Sequence, residues 1–324
     1  MPHIRLRYLS RADVETVGLT MGEIVDTVEV MFLDKARGEA EMPPKPAIHP
    51  SQDAFIHAMP AFLPRTGAAG VKWISGNPGN RARGLPYIAG LLILNDPETG
   101  FPIAVMDATW ITAMRTGAAT AVAATHLARS ESKTVGIVAC GVQGRTNLEA
   151  LCTRFAIEEA RAYDIDPDAA RCYAEEMAHQ CGMTVTVVRD PREAVAELDM
   201  VVTSGPILRD PSPVIEAGWI SPGAFACALD FDSYWTPAAV RAADRFVTDD
   251  LPQLDYYRSL GFFRHIPAPD GDLAEIVAGG APGRQSDNEA ILCMNLGLAL
   301  EDVAVGKLIY DRAVGLDIGV ELEL

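Results

Sequence analysis

From residue 133 onward the chain alternates short apolar runs with helical stretches, a spacing that fits a parallel sheet joined by helical crossovers. The runs fall at 134–139, 159–163, 184–188 and 200–203, with helical patterns reaching 155 and covering 167–180 and 191–197 between them. Strands at 224–229 and 245–248 extend the sheet, and 288–305 reads as a long closing helix. At the first strand-to-helix turn stands Val138-Ala139-Cys140-Gly141-Val142-Gln143-Gly144-Arg145, a dinucleotide-binding loop with Ala139 in the first glycine position. Gly141 lets the backbone approach a pyrophosphate on the helix N-terminus, and Gly144 lets the helix pack close to the strand. Asp164 ends the second strand, where an acid bonds the adenosine ribose hydroxyls and repels a 2′-phosphate, so NAD(H) is favoured over NADP(H). The competing roles are ordinary ones. Glycines serve tight turns, and an acid here can cap the helix opening at Pro167, a task that Asp166 fits better than Asp164.

The first half reads differently. Capped helical patterns start at Ser10 and Thr20, and the proline-rich stretch 42–50 excludes helix. Strand-like runs follow at 54–63, 68–75 and 87–94. The last joins 103–107 through Asn95-Asp96-Pro97-Glu98-Thr99-Gly100, and a small-residue helix spans 109–129. Lys72 interrupts an apolar strand between Val71 and Trp73, where a cation either pairs with a buried carboxylate or holds a substrate carboxylate or carbonyl. Arg115 lies among small residues, which admit a ligand to its guanidinium fork; a salt bridge is the plainer use. His57, alone on its strand, suits a structural and a binding role equally. Asp230 and Asp232 directly follow the strand at 224–229, at the carboxyl edge where open α/β sheets hold ligands. Either acid can serve as general acid/base, and both can equally form a turn or cap the helix after Thr236.

Composition narrows the class. The 324 residues carry 27 Lys+Arg against 44 Asp+Glu, a net charge of −17, and no basic run, which argues against nucleic acid and acidic membranes. The longest apolar stretches, near 88–94 and 118–124, are too short to span a bilayer, and the N-terminus is charged where a signal peptide would be apolar, so a cytoplasmic location is expected. The six cysteines lack metal-ligand spacing and read as reduced and mostly buried, with no metal site.

At the segments MPPK (42–45), AMPA (58–61), AGVKW (69–73), GLPYIAGLLILNDPETGFPIAVMD (84–107), MRTGAA (114–119), YDID (163–166), EIVAG (275–279) and GLALEDVAV (297–305), the sequence resembles the ornithine cyclodeaminase/mu-crystallin family, most closely its archaeal-type alanine dehydrogenases. The resemblance implies an α/β fold in which a Rossmann-type NAD(P)-binding domain, 129–299, is inserted in an α+β substrate-binding and dimerisation domain, 1–128 plus 300–324, of a homodimer. It implies catalytic Lys72 and Asp232, a substrate site including Lys45, His57 and Arg115, and a cofactor site including Arg115, Thr116, Gly141, Val142, Gln143, Gly144, Asp164, Ile165, Thr203, Ser204, Asp230 and Asn295. The expected activity is NAD(H)-dependent oxidoreduction at C2 of a small amino acid or its imine, from an α-keto acid or cyclic imine, with an ammonia-releasing cyclodeaminase as the alternative. His57 stands where the cyclodeaminases have a glutamate for a distal amine, which disfavours a second ammonium on the substrate.

Overall fold

The computed structural model describes residues 5–324 and opens with a strand, β1 (Arg5–Leu9). Ser10 and Thr20 each close a capping box with the acid three residues on, which starts α1 (Arg11–Thr16) and α2 (Met21–Ala36) where the sequence places them. The proline-rich stretch runs extended into β2 (Ala47–Ser51). β3 (Ala54–Leu63), β4 (Ala68–Gly76), β5 (Ile88–Asn95) and β6 (Pro102–Asp107) then pair antiparallel in succession. The turn before β6 is set by Asp96, whose carboxylate accepts from the Glu98 and Thr99 amides. The small-residue helix is α3 (Thr109–Leu127).

The alternating region follows as β7 (Thr134–Val138), α4 (Val142–Cys152), β8 (Glu159–Tyr163), α5 (Pro167–Cys181), β9 (Thr184–Val187), β10 (Met200–Thr203) and β11 (Phe225–Ala228). It continues through α6 (Pro237–Ala242), β12 (Arg245–Thr248), α7 (Leu251–Ser259), β13 (Gly271–Asp272), α8 (Leu273–Val277) and β14 (Ile291–Met294). These strands form one parallel sheet in the order β13-β12-β14-β11-β10-β7-β8-β9. Its central strands are buried on both faces, as crossover helices require. Two expectations fail here. The stretch 191–197 holds only a 3-10 turn, Pro191–Ala194, and 288–305 is not one helix. Ile291–Met294 is a strand between β11 and β12, and Gly297, at φ +77°, separates it from the helix that follows.

That helix, α9 (Ala299–Leu316), and the strand β15 (Val320–Glu323) return to the first region. The sheet there has the order β15-β1-β6-β5-β4-β3-β2, and α9 packs across β3, β4 and β5 and against α2. A Cβ on Gly306 would lie 2.1 Å from Leu92 Cδ2, so glycine is what lets α9 approach this closely. The chain divides into two compact units, Met1–Arg115 with Leu298–Leu324, and Thr116–Gly297. The first division falls inside α3, where the sequence reading drew it at that helix's end.

Candidate active site

In the second unit, β7 passes into α4 through Ala139-Cys140-Gly141. Ala139 has φ +76°, the left-handed conformation usually given to glycine, in which a Cβ costs about 1–2 kcal/mol. Two bonds hold it there: its amide donates to Tyr163 O at 2.8 Å, and its carbonyl accepts from the Ser204 hydroxyl at 3.0 Å. The Cys140 amide donates to Asp164 Oδ2 at 2.8 Å, which ties the loop to the end of β8. Gly141 is the N-cap of α4 without a side-chain cap, and a Cβ built on it would meet nothing within 4 Å. The positive end of α4 is therefore open to an anion at this point. A Cβ on Gly144 would lie 2.8 Å from Ala139 O and 3.1 Å from Ile137 Cγ2, so this glycine sets the closeness of helix to strand. Val142 and Ile165, 64% and 83% exposed, flank the loop with aliphatic surface, and Gln143 and Thr116 are half-buried on α4 and α3. Asp166 caps α5, accepting from the Asp168 and Ala169 amides, which leaves Asp164 to the loop. These residues fit a dinucleotide.

The carboxyl ends of β10, β11 and β14 carry the next group. The Thr203 hydroxyl donates to Asp230 Oδ1 at 2.8 Å and accepts from Trp235 Nε1 at 2.9 Å, and the Gly205 amide donates to Asp230 Oδ2 at 3.0 Å. Neither Thr203 nor Asp230 has any exposed surface. The sequence reading set both against the cofactor; the structure engages their side chains internally, clamping the turn at 203–205. Burial pushes the Asp230 carboxyl up to about 7 against those hydrogen bonds, and Asp232 adds to the rise. Asp232 is half-buried; burial raises it too, opposed by its own and the Phe263 amide and by the charges of Arg264 and His265. Of the two acids, Asp232 is the one a solute can reach. Asn295 accepts from the Cys293 thiol at 3.2 Å through Oδ1, while its buried Nδ2 has no partner, a donor that a ligand carbonyl would satisfy.

In the first unit, Lys72 projects from β4 opposite Met59 and Leu92, with none of its surface exposed, while its neighbour Trp73 points outward. Its Nζ lies 2.6 Å from Asp302 Oδ2 and donates to Thr112 Oγ1 at 3.2 Å. Arg115 donates to Asp302 Oδ1 from Nε at 3.0 Å and to Glu301 Oε2 at 2.7 Å. Both acids, fully buried, come from the first turn of α9. Burial pushes the Lys72 ammonium down to about 7; Asp302 opposes the fall, and Arg115 and Lys45 reinforce it. For Arg115 the two acids outweigh burial and hold it above its ordinary value. Burial raises the Glu301 carboxyl, with Arg115 opposing. His57, half-buried and stacked on Phe55 with ring centroids 4.4 Å apart, is driven down to about 3 by burial and by Lys45, Lys72 and His49. It is a neutral imidazole among cations. Lys45, His57, Lys72 and Arg115 thus share one electrostatic environment, suited to a small carboxylate.

Sequence reasoning missed Asp302, Glu301 and Thr112. A signal existed: Glu301-Asp302 interrupts the apolar run Gly297–Val305, and buried acids require cations as surely as Lys72 requires an acid. Residues 7–317 match the model of the ornithine cyclodeaminase/mu-crystallin family. The chain belongs to this family. Among its relatives, the nodulation efficiency protein NfeD of Rhizobium meliloti is 36% identical over 97% of both chains. The solved Δ1-pyrroline-2-carboxylate reductase of Thermococcus litoralis, in complex with NADH and L-proline, is 35% identical over 97% of this chain and 99% of its own, with a TM-score of 0.87. An archaeal alanine dehydrogenase dimer with bound NAD is 34% identical over 99% of this chain and 100% of its own, also at 0.87. The family fold, with its NAD-binding α/β architecture, is therefore this chain's own. Among the described residues no cluster of His, Cys, Asp or Glu is arranged to hold a metal, and no helix is long and apolar enough to cross a membrane. All six cysteines are free thiols, but only Cys140, Cys227 and Cys293 are buried.

Proposed function

We propose that this protein is an NAD(H)-dependent oxidoreductase acting at C2 of a small amino acid or its imine. The observation that carries the reading is Lys72, a fully buried ammonium set beside Arg115 on one carboxylate, where burial pushes it down to about 7. A group poised there moves a proton in either direction at working pH. Lys45 and Arg115 hold the substrate carboxylate, Lys72 exchanges a proton with the C2 substituent, and Asp232 is the second proton-handling group. NADH, when bound, supplies the hydride. The α4 N-terminus at Gly141 seats the diphosphate, with Val142, Gln143, Gly144, Thr116 and Ser204 about it and Ile165 beside the adenosine. Asp164 reads the adenosine ribose and disfavours a 2′-phosphate, and Asn295 Nδ2 is the donor for the nicotinamide carboxamide. The two solved relatives, one in complex with NADH and L-proline and one with bound NAD, support this reading. A homodimer located in the cytoplasm completes it.

The cyclodeaminase reading stands second, because the cations around His57, Lys45 and Lys72, repel a distal ammonium and neutral His57 supplies no countercharge for it. NADH oxidation, followed with a five-membered cyclic imine carboxylate and with pyruvate plus ammonia or methylamine, separates the two. The expected result is stoichiometric NADH consumption, weaker activity with NADPH, and a fall in kcat/KM of about 10²–10⁴-fold in Lys72→Met with NADH binding retained. Ammonia released from ornithine with no net loss of NADH would assign the lyase instead.

A further inference from the structure

We propose that Asp302 is a positioning residue of this site, its one carboxylate holding the Lys72 ammonium and the Arg115 guanidinium side by side and setting the charge state of Lys72. The proposal rests on the reading of Lys72 as the proton-handling group. Its geometry is direct: Oδ2 stands 2.6 Å from Lys72 Nζ and Oδ1 3.0 Å from Arg115 Nε, so each oxygen serves one cation. Glu301, the neighbouring acid, pairs with Arg115 and also accepts from the Leu298 amide. The groups facing Lys72 come from four parts of the fold: Asp302 from α9, Arg115 and Thr112 from α3, Lys45 from the stretch before β2, and His57 from β3. Of these, Arg115 and Lys45 push the proton off Lys72, as does burial, and Asp302 is the charge that keeps it on. Without Asp302 two cations would face each other in a dry interior, an arrangement that empties by deprotonation of the lysine, since the guanidinium does not give up its proton. Substrate contact falls to Lys72 and Arg115; Asp302 acts through them.

The test is a titration. The chain has only five lysines, Lys35, Lys45, Lys72, Lys133 and Lys307, so ¹³C-lysine NMR resolves each ammonium without requiring turnover. In the unaltered protein the Lys72 resonance, assigned from Lys72→Met, is expected to titrate well below that of Lys133, which its ion pair with Glu158 holds up. In Asp302→Asn its midpoint falls further by about one to three pH units, and in Glu301→Gln by about half a unit or less. The limb of the kcat/KM profile that reports Lys72 moves with it. Should Asp302→Asn fail to fold, Asp302→Glu keeps the charge but misplaces the bridge, and is expected to lower the same midpoint by at least about half a unit with kcat falling more than KM changes. A midpoint that stays in place in the folded variant, or moves equally in Glu301→Gln, overturns the proposal. A shifted midpoint in a protein that reduces no imine leaves the positioning role standing and removes the proposed function.

Discussion

Asp230 is a carboxylic acid with no exposed surface, and its two hydrogen-bonding neighbours define its fate. Thr203 and Gly205 donate to it, yet burial still wins and carries it to about 7 from an ordinary value near 4. A group raised on folding stabilises the native state fully below its unfolded value, and that stabilisation is lost as pH rises through the folded one. Asp230 therefore weakens the fold progressively between about pH 4 and 7. Asp230→Asn, which resembles the protonated acid, removes this dependence. Thermal midpoints measured from pH 4 to 8 are expected to move in favour of the variant as pH rises; a constant gap would show that Asp230 ionises normally. Residues of this kind also show how far single positions can be read without coordinates. Lys72 was conspicuous because a cation broke an apolar strand. Asp302 was not, because acids in the first turn of a helix usually face water and favour the dipole, and only the packing of α9 on the sheet buries this one. Asp230 and Thr203 stood at the right edge of the sheet, but which way they turned depended on Trp235 and Gly205, partners that spacing does not reveal.

Among the elements, the strand-loop-helix of β7 and α4 carries the clearest agreement between pattern and structure, and its two glycines do different things. At Gly141 an added methyl meets no protein atom, so Gly141→Ala is expected to fold with unchanged thermal stability while NADH affinity falls about tenfold or more, the methyl standing where the diphosphate seats. At Gly144 the methyl meets Ala139 O at 2.8 Å, so Gly144→Ala must displace α4 or the loop and is expected to lower stability by about 1–3 kcal/mol along with NADH affinity. Calorimetric unfolding and NADH fluorescence titration on both variants check this, and equal stability losses would contradict it. The same region marks where periodicity fails. Four apolar residues, Ile291–Met294, are too few to separate a buried strand from part of a buried helix. The run was absorbed into the helical pattern that follows it. Its place between β11 and β12 is a tertiary fact: the strand pairs with neighbours more than forty residues earlier.

For the whole molecule, the first unit's sheet has one face under α9 and another that no element among the described residues explains as an ordinary surface. Trp73 and Leu91, directly opposite each other on β4 and β5, are 49% and 45% exposed, and the same face carries Ala58, Val71, Ile93 and Val105. Apolar surface arrayed in this way on a sheet is the kind that marks an interaction site, and the proposed homodimer would seat a second copy of the chain on it. Association must overcome charge, because each copy carries −17. Repulsion between two such copies is screened by salt while apolar burial is not, so the proposed dimer is expected to tighten as ionic strength rises from about 0.01 to 0.5 M. Trp73→Asp adds a buried charge and removes the largest side chain of the patch, and should yield monomers at micromolar concentration with the fold retained, since Trp73 supports no core. Sedimentation velocity measures both effects. A Trp73→Asp protein that stays dimeric would move the interface off this face, and a dimer that loosens with salt would show that ion pairs, not this apolar sheet, hold the copies together.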